Sequence, residues 1–136
     1  MVCLYCNGET AVFNTRTQKK SNQTWRRRRC LNCGALFTTH EVYYLPSVLS
    51  VKSNKNTEPF MPDRLFTELL LAMQDRKDCY EAAREIAATI LRNLIKRPEK
   101  PLYEPQTISF ETAKVLKRFD KRAWLRYVSE HPSLQS

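Results

Sequence analysis

Hydrophobic and polar positions along the chain follow two different periods, and the change of period divides it. In the first part the β-prone residues come in short pieces. One covers 11–16, a second runs through Trp25 to Cys30, and a third covers 35–44 with Phe37, Thr38, Thr39, Val42 and Tyr43. The polar run 17–23 between the first two reads as a loop. Pro46 marks a boundary. Beyond it, 48–52, the polar turn Ser53-Asn-Lys-Asn and 57–60 read as a strand, a tight turn and a second short strand.

From Pro62 onwards the period is helical. Pro62 suits a first helical turn, and Leu65, Leu69, Ala72 and Met73 keep one face of a helix ending near Arg76. Asp78 and Glu81 have the spacing of a capping box. Behind them Ala83, Ile86, Ala87, Ile90 and Leu94 line one side of a helix that stops before Pro98. The span 97–105 holds three prolines and reads as a loop; Pro105 then opens a helix faced by Ile108, Thr112, Val115, Leu116 and Phe119. Asp120 is placed to cap a last helix carrying Ala123, Trp124, Tyr127 and Val128, and 132–136 reads as a frayed tail. The expected class is α+β: a small three-stranded module over 1–45, a mostly helical domain with an N-terminal β-hairpin over 46–131, and the tail.

With 136 residues the chain fits one domain or two small ones, and no apolar run approaches the ~18 residues that span a bilayer. No basic start followed by a long apolar run opens the sequence, so a cytoplasmic, reducing setting and no membrane partner are expected. The formal charge of +9 points to a polyanion, nucleic acid first. That charge is uneven. Residues 1–46 hold seven basic and two acidic side chains, whereas 47–136 hold 16 and 12 over twice the length.

The basic part is also where the cysteines lie. Cys3/Cys6 and Cys30/Cys33 form two C-x-x-C hooks with 23 residues between them. Four thiolates from two hooks suit one tetrahedral zinc ion per chain, closed to a catalytic water and therefore structural. A forty-residue module has too little apolar material for a core, and a metal substitutes for it. Gly8 and Gly34, the chain's two glycines, each sit beside a hook, where they allow backbone amides to turn towards sulfur. Disulfides are disfavoured in a reducing compartment, a redox hook needs only one pair beside a βαβ unit, and an iron–sulfur cluster uses the same four ligands. Cys79 reads as a buried inert thiol, and His40 and His131 as bystanders.

Arg26, Arg27, Arg28 and Arg29 precede the second hook; in a strand, two of them face each way. Such arginines neutralise phosphates or fork onto guanine edges, and Trp25 and Tyr5 are available to stack on a base or sugar. No nucleophile–base pair and no open metal site appear, so an enzyme is not expected.

Cys3-x-x-Cys6, Arg26-Arg-Arg-Arg-Cys30-Leu-Asn-Cys33-Gly and Phe37-Thr-Thr-x-Glu41 together resemble the zinc ribbon of the NrdR transcriptional repressors of ribonucleotide reductase genes. Val51-Lys-Ser-Asn54 with Glu58-Pro-Phe60, and Leu116-Lys-x-x-Asp120-x-x-Ala123-Trp-Leu-Arg126-Tyr-x-Ser129, resemble the opening and closing segments of that family's ATP-cone. The resemblance covers about residues 1–130. It implies a zinc ribbon on double-stranded DNA with paired operator half-sites, an ATP-cone-like domain sensing ATP or dATP, and a homo-oligomer. It places Arg26, Arg27 and Arg28 on DNA; Arg29, where the family commonly has another residue, Arg16 and Trp25 are added as DNA candidates from the basic module itself. Val51, Lys52, Glu58, Phe60, Arg64 and Trp124 fall to the nucleotide, Arg64 standing where the family usually has lysine and Trp124 where it usually has tyrosine. An RNA- or ribosome-associated zinc-ribbon module without nucleotide sensing is the alternative from a different class.

Overall fold

The computed structural model describes residues 1–52, 54, 56–96 and 102–135. Two compact units divide it, Met1–Tyr43 and Tyr44–Ser136. The expected turn residues Ser53 and Lys55 and most of the proline loop, 97–101, lie outside the described residues. Among the described residues, no helix is long and apolar enough to cross a membrane.

The first unit is an antiparallel sheet in the order β1 (Thr10–Gln18), β2 (Gln23–Cys30), β3 (Leu36–Glu41). Both expected β pieces before Cys30 are longer than the sequence suggested. Three of the seven residues in the polar run 17–23 are strand, because Thr17 pairs with Thr24 and Gln18 with Gln23, leaving four residues for the turn. Asn22 takes a φ of +50° there, a left-handed conformation that asparagine tolerates. A bulge between Val12 and Asn14 gives β1 one extra residue, Phe13, which is exposed. Only Cys3 and Cys30 are fully buried in this unit, so almost nothing apolar holds it together.

The second unit has an apolar core of its own. It opens with a one-turn helix, α1 (Leu45–Val48), in which Pro46 takes an early helical position; the strand expected from residue 48 therefore begins at Ser50. Strands β4 (Ser50–Lys52) and β5 (Thr57–Pro59) form the expected hairpin. Against the expectation of a plain loop over 97–105, β6 (Leu102–Tyr103) pairs in parallel with β4, giving the order β5-β4-β6. A two-residue strand after a proline-rich run has no period to betray it. The Tyr103 side chain is buried, and its hydroxyl donates to the Leu94 carbonyl at 2.6 Å, satisfying the end of the preceding helix.

Four longer helices complete this unit: α2 (Pro62–Ala72), α3 (Cys79–Ile95), α4 (Pro105–Phe119) and α5 (Lys121–Glu130). Leu65, Leu69 and Ala72 of α2 meet Ala83, Ile86, Ile90 and Leu94 of α3, with Leu116, Ala123 and Tyr127 closing the other side. Helix α2 stops at Ala72, a turn earlier than expected, and its last carbonyls are claimed from elsewhere. Arg126 Nη1 donates to Ala72 O at 2.8 Å while its other amine reaches the Asp75 carboxylate. Phe119 is exposed rather than core, because α4 ends there in an extended residue.

Two capping expectations part ways. Asp120 caps α5 as expected, its carboxylate accepting from the Arg122 and Ala123 amides at 2.9 and 3.1 Å. Asp78 does not form the expected box with Glu81. Its carboxylate takes a two-pronged bond from Arg76 at 2.9 and 2.8 Å, and a charge-assisted fork outcompetes one backbone amide. The expected loose tail is instead a 3-10 turn, Pro132–Leu134, tied down by Gln135 donating to the Val128 and Ser129 carbonyls, with Leu134 packed on the core.

The Ala123 amide, helped by the Arg76 guanidinium, holds the Asp120 carboxyl below its ordinary value. A depressed carboxylate contributes its full stabilisation above the unfolded-state pKa and loses it as pH falls through the lower folded value. Asp120→Ala is therefore expected to cost about 1 kcal/mol at neutral pH. The gap to wild type should close below about pH 4, which urea unfolding of the full chain at both pH values will measure.

Candidate metal centre and nucleic-acid interface

The two hooks are built alike. The Cys3 amide donates to Gly8 O at 2.8 Å and the Cys30 amide to Ala35 O at 2.9 Å; Asn7 N returns to Cys3 O at 3.0 Å and Gly34 N to Cys30 O at 3.2 Å. Each turn needs a left-handed residue at its fourth position after the leading cysteine. Gly34 fills it in the second hook with φ +72°, as its identity suggests. In the first hook the residue is Asn7, with φ +56°, and not Gly8. Gly8 is needed for space. A Cβ there would stand 2.9 Å from Asn32 Cβ and 3.2 Å from Cys6 Sγ.

These turns bring the four sulfurs together. All lie within 4.8 Å of one another, with Cys3–Cys33 at 3.7 Å and Cys6–Cys30 at 3.5 Å. A tetrahedron of ~2.3 Å zinc–sulfur bonds has edges of about 3.8 Å, so the sulfurs already stand at the spacing of one zinc ion. Backbone amides point at them: Tyr5 N at Cys3 Sγ, and Asn32 N and Cys33 N at Cys30 Sγ, each 3.4 Å away. The Asn32 side-chain amide adds a longer contact of 3.8 Å to Cys6 Sγ. Tyr5, Asn32 and Cys33 thus supply sulfur-directed amides, as Ala35 does towards Cys33, while the Gly34 amide serves the turn itself.

The charge balance calls for a cation. The Cys33 amide, and with it that of Asn32, brings the Cys30 thiol down to about 6 despite burial. At Cys33 the Ala35 amide pulls downwards, yet the crowded sulfurs of Cys6, Cys30 and Cys3 together with burial push it up to about 12. Four thiols this close resist ionising together unless a positive ion shares them, and zinc supplies that charge. Among the described residues they are the one group of His, Cys, Asp and Glu side chains that converges in this way. His40 is exposed on β3 opposite Trp25, and His131 stacks on Tyr127 at 4.1 Å; neither is near a ligand set.

The register sorts the arginines. Residues directly opposed in antiparallel strands share a face. Trp25, Arg27 and Arg29 share theirs with Arg16, Asn14 and Ala11 of β1 and with His40, Thr38 and Leu36 of β3. This face is open: Arg16, Arg27 and Arg29 are exposed, and the Arg16 guanidinium lies 5.3 Å from the half-buried Trp25 ring. Arg26 and Arg28 lie on the other face, half-buried, and are already engaged. Arg26 pairs with Glu41 at 2.5 Å, and Arg28 Nε donates to Thr39 Oγ1 at 3.3 Å. Sequence marked Thr39 and Glu41 as part of the Phe37-Thr-Thr-x-Glu41 motif, with no role; their alternation opposite an arginine run is the signal for the bracing they provide. Tyr5 is exposed on the first hook, off the sheet.

The six candidate nucleotide residues are spread over the second unit. Register places Val51 and Glu58 on one face of the β4–β5 hairpin and Lys52 on the other, where its ammonium pairs with Glu104 at 3.1 Å. Phe60 is buried in the core with Val51 half-buried against it. Arg64 pairs with Glu68 along α2 at 3.3 Å. Trp124 lines an open depression with Phe110, Lys117 and Leu134, with Lys117 Nζ 5.0 Å from its ring. Cys79, the first residue of α3, is half-buried.

Comparison with known proteins adds a consistent set of likenesses. A family model described as "Transcriptional repressor NrdR-like, N-terminal domain" matches residues 1–41. The chain is 33% identical over 137 residues to the "Transcriptional repressor NrdR" of Thermus thermophilus, a match covering 100% of this chain and 87% of that protein. To the protein of the same name from Symbiobacterium thermophilum it is 32% identical over 130 residues, covering 95% and 85%. To that of Persephonella marina it is 32% identical over 136 residues, covering 99% and 89%. These relatives are repressors, not enzymes.

Cys30→Ser removes a buried ligand on which two amides converge. It is expected to release the metal and unfold the ribbon, since zinc-linked folding of such modules is worth on the order of 10 kcal/mol. The second unit, with its own core, should keep its helices. Circular dichroism with zinc quantification on the full chain checks both halves of the expectation.

Proposed function

The chain belongs to the NrdR family of transcriptional repressors, and from that premise we propose that it holds duplex operator DNA on the open face of its zinc ribbon and releases or tightens that hold in response to adenine nucleotides. The observation that carries the DNA reading is the division of arginines across the sheet. Arg27 and Arg29 are exposed and have no ion-pair partner among the described residues, with Arg16 and Trp25 on the same face. They are free to fork onto phosphates or guanine edges. Arg26 and Arg28, tied to Glu41 and Thr39, stiffen the strand that presents them and reach DNA only by exchanging those partners. Zinc makes the platform rigid before DNA arrives, so little ordering cost falls on binding.

For the second unit we propose nucleotide sensing, supported by the family resemblance of the β4–β5 hairpin and of the closing segment. Lys52 would exchange Glu104 for triphosphate oxygens, Val51 and Glu58 would take the base and ribose over the buried Phe60, and Arg64 and Trp124 would act from α2 and α5. A ligand that favours one assembly of copies shifts the spacing of paired ribbons and thereby the affinity for paired half-sites. The target genes, by the same resemblance, are those of ribonucleotide reductase.

Two measurements test the reading. In operator binding over a salt series, Arg27→Ala and Arg29→Ala are each expected to make the salt slope shallower by about one if the lost contact is to phosphate, or to relax sequence preference if it is to a base. Unchanged affinity and slope in both variants would remove this face from the interface. Native mass spectrometry with ATP and with dATP should show different assemblies for the wild type and no nucleotide dependence for Lys52→Gln. A wild-type mass indifferent to both nucleotides would sink the sensing proposal and leave DNA binding standing.

A further inference from the structure

We propose that the helical unit carries a second DNA-contacting surface, a basic strip on α3 and α4 beside Trp124, which grips duplex phosphates without reading bases. The inference rests on the DNA-binding reading above and extends it to cations that neither the ribbon nor the nucleotide residues account for, with Trp124, already proposed for the nucleotide, at their edge.

Lys114, Lys117 and Arg118 stand at i, i+3 and i+4 on α4, which aligns them along one side of the helix. Two open depressions share Lys114 and Arg118. The first adds Lys96 at the end of α3, and the second adds Lys117, Phe110 and Trp124. The strip is therefore continuous from Lys96 across Lys114 and Arg118 to Lys117 and the indole. Lys96, Lys117 and Arg118 are exposed and lack an ion-pair partner among the described residues. Lys114 has only a 3.9 Å approach to Glu111.

Of the nearby acids, Glu111 offsets part of the Lys114 charge and Asp120 is turned to other partners. Glu111 is buried, with Asn93 donating to it at 2.9 Å, and Asp120 is committed to Arg76 and the α5 amides. The carbonyl ends of α3 and α4 favour cations at Lys96, Lys117 and Arg118, which offsets part of the like-charge repulsion between Lys114 and Arg118 one turn apart. Trp124 supplies a flat aromatic among them, with Lys117 over its ring and the exposed Phe110 alongside. A small anion is best held in an enclosed site where several donors converge. These depressions are open and their charges are strung out in a row, which suits a line of phosphates.

The test uses the full chain with three exposed cations neutralised, Lys96→Gln, Lys117→Gln and Arg118→Gln, leaving Lys114 beside Glu111. Binding is followed by fluorescence anisotropy across a salt series, on a duplex taken from a promoter of ribonucleotide reductase genes and on a mixed-sequence duplex. The triple variant is expected to show a log–log salt slope shallower by about 2–3 and, near ~50 mM salt, binding weaker by on the order of a thousandfold on both duplexes. The preference between the two should be unchanged. A wild-type preference for the promoter duplex combined with an unaltered slope in the variant would overturn the strip and keep the ribbon reading. Wild-type protein that binds neither duplex would remove both. Sedimentation at the same salt guards the remaining case: a smaller assembly in the variant, with full DNA affinity restored at higher protein concentration, would mean the strip joins copies and not DNA.

Discussion

Four sulfurs held within a few ångströms of one another are the constraint from which the first unit follows. They stand at the corners a zinc ion requires, yet as bare thiols they oppose one another's ionisation, as the divergence of Cys30 and Cys33 shows. Metal binding and folding are therefore one event in this module. With Cys3 and Cys30 its only fully buried residues, the unit has no apolar core to fall back on. Everything that presents the arginines depends on that linkage.

The sheet built on this anchor separates tasks by face. On β2 alternate side chains go to opposite sides, so four successive arginines become two that brace and two that are offered. The bracing pair is recognisable by its partners on β3, a carboxylate and a hydroxyl. The offered pair sits with a cation–aromatic contact between Arg16 and Trp25, which keeps a long flexible side chain and a large ring in place before any partner arrives. Pre-organisation of this kind lowers the ordering cost of recognition.

The second unit stands on ordinary packing. Its helices meet through Leu69, Ile90, Leu94 and Leu116, all fully buried, and polar bonds tidy the ends. Tyr103 satisfies the last turn of α3, Arg126 the last turn of α2, and Asp120 the first turn of α5. The small mixed sheet puts the β4–β5 hairpin at one side of this core, with Lys52 ion-paired to Glu104. An ion pair between exposed groups is worth little by itself, so a phosphate can displace it readily. That exchangeability is what a sensing role asks of the position.

Much of this was legible in the residues. Doubled C-x-x-C hooks announce a four-sulfur site because thiolate chemistry and loop length are both local. The helices were legible because burial on one face imposes a 3.6-residue period, and Asp120 because a cap bonds its own next turn. What escaped was set by partners distant in sequence. Strand β6 exists only because β4 offers it an edge, and Asp78 left its cap because Arg76 was nearer with two donors. Asn7 is left-handed because the turn needs that conformation four residues after Cys3, whereas Gly8 is needed for the space beside Asn32 and Cys6. Which arginines are free was likewise decided by β3. The sequence by itself determined the ligand set, the helical faces and the excess of positive charge, all of which are written in neighbouring residues. Only the tertiary structure decided which of those charges are already spoken for, since a side chain's partner is chosen by distance in space and not along the chain.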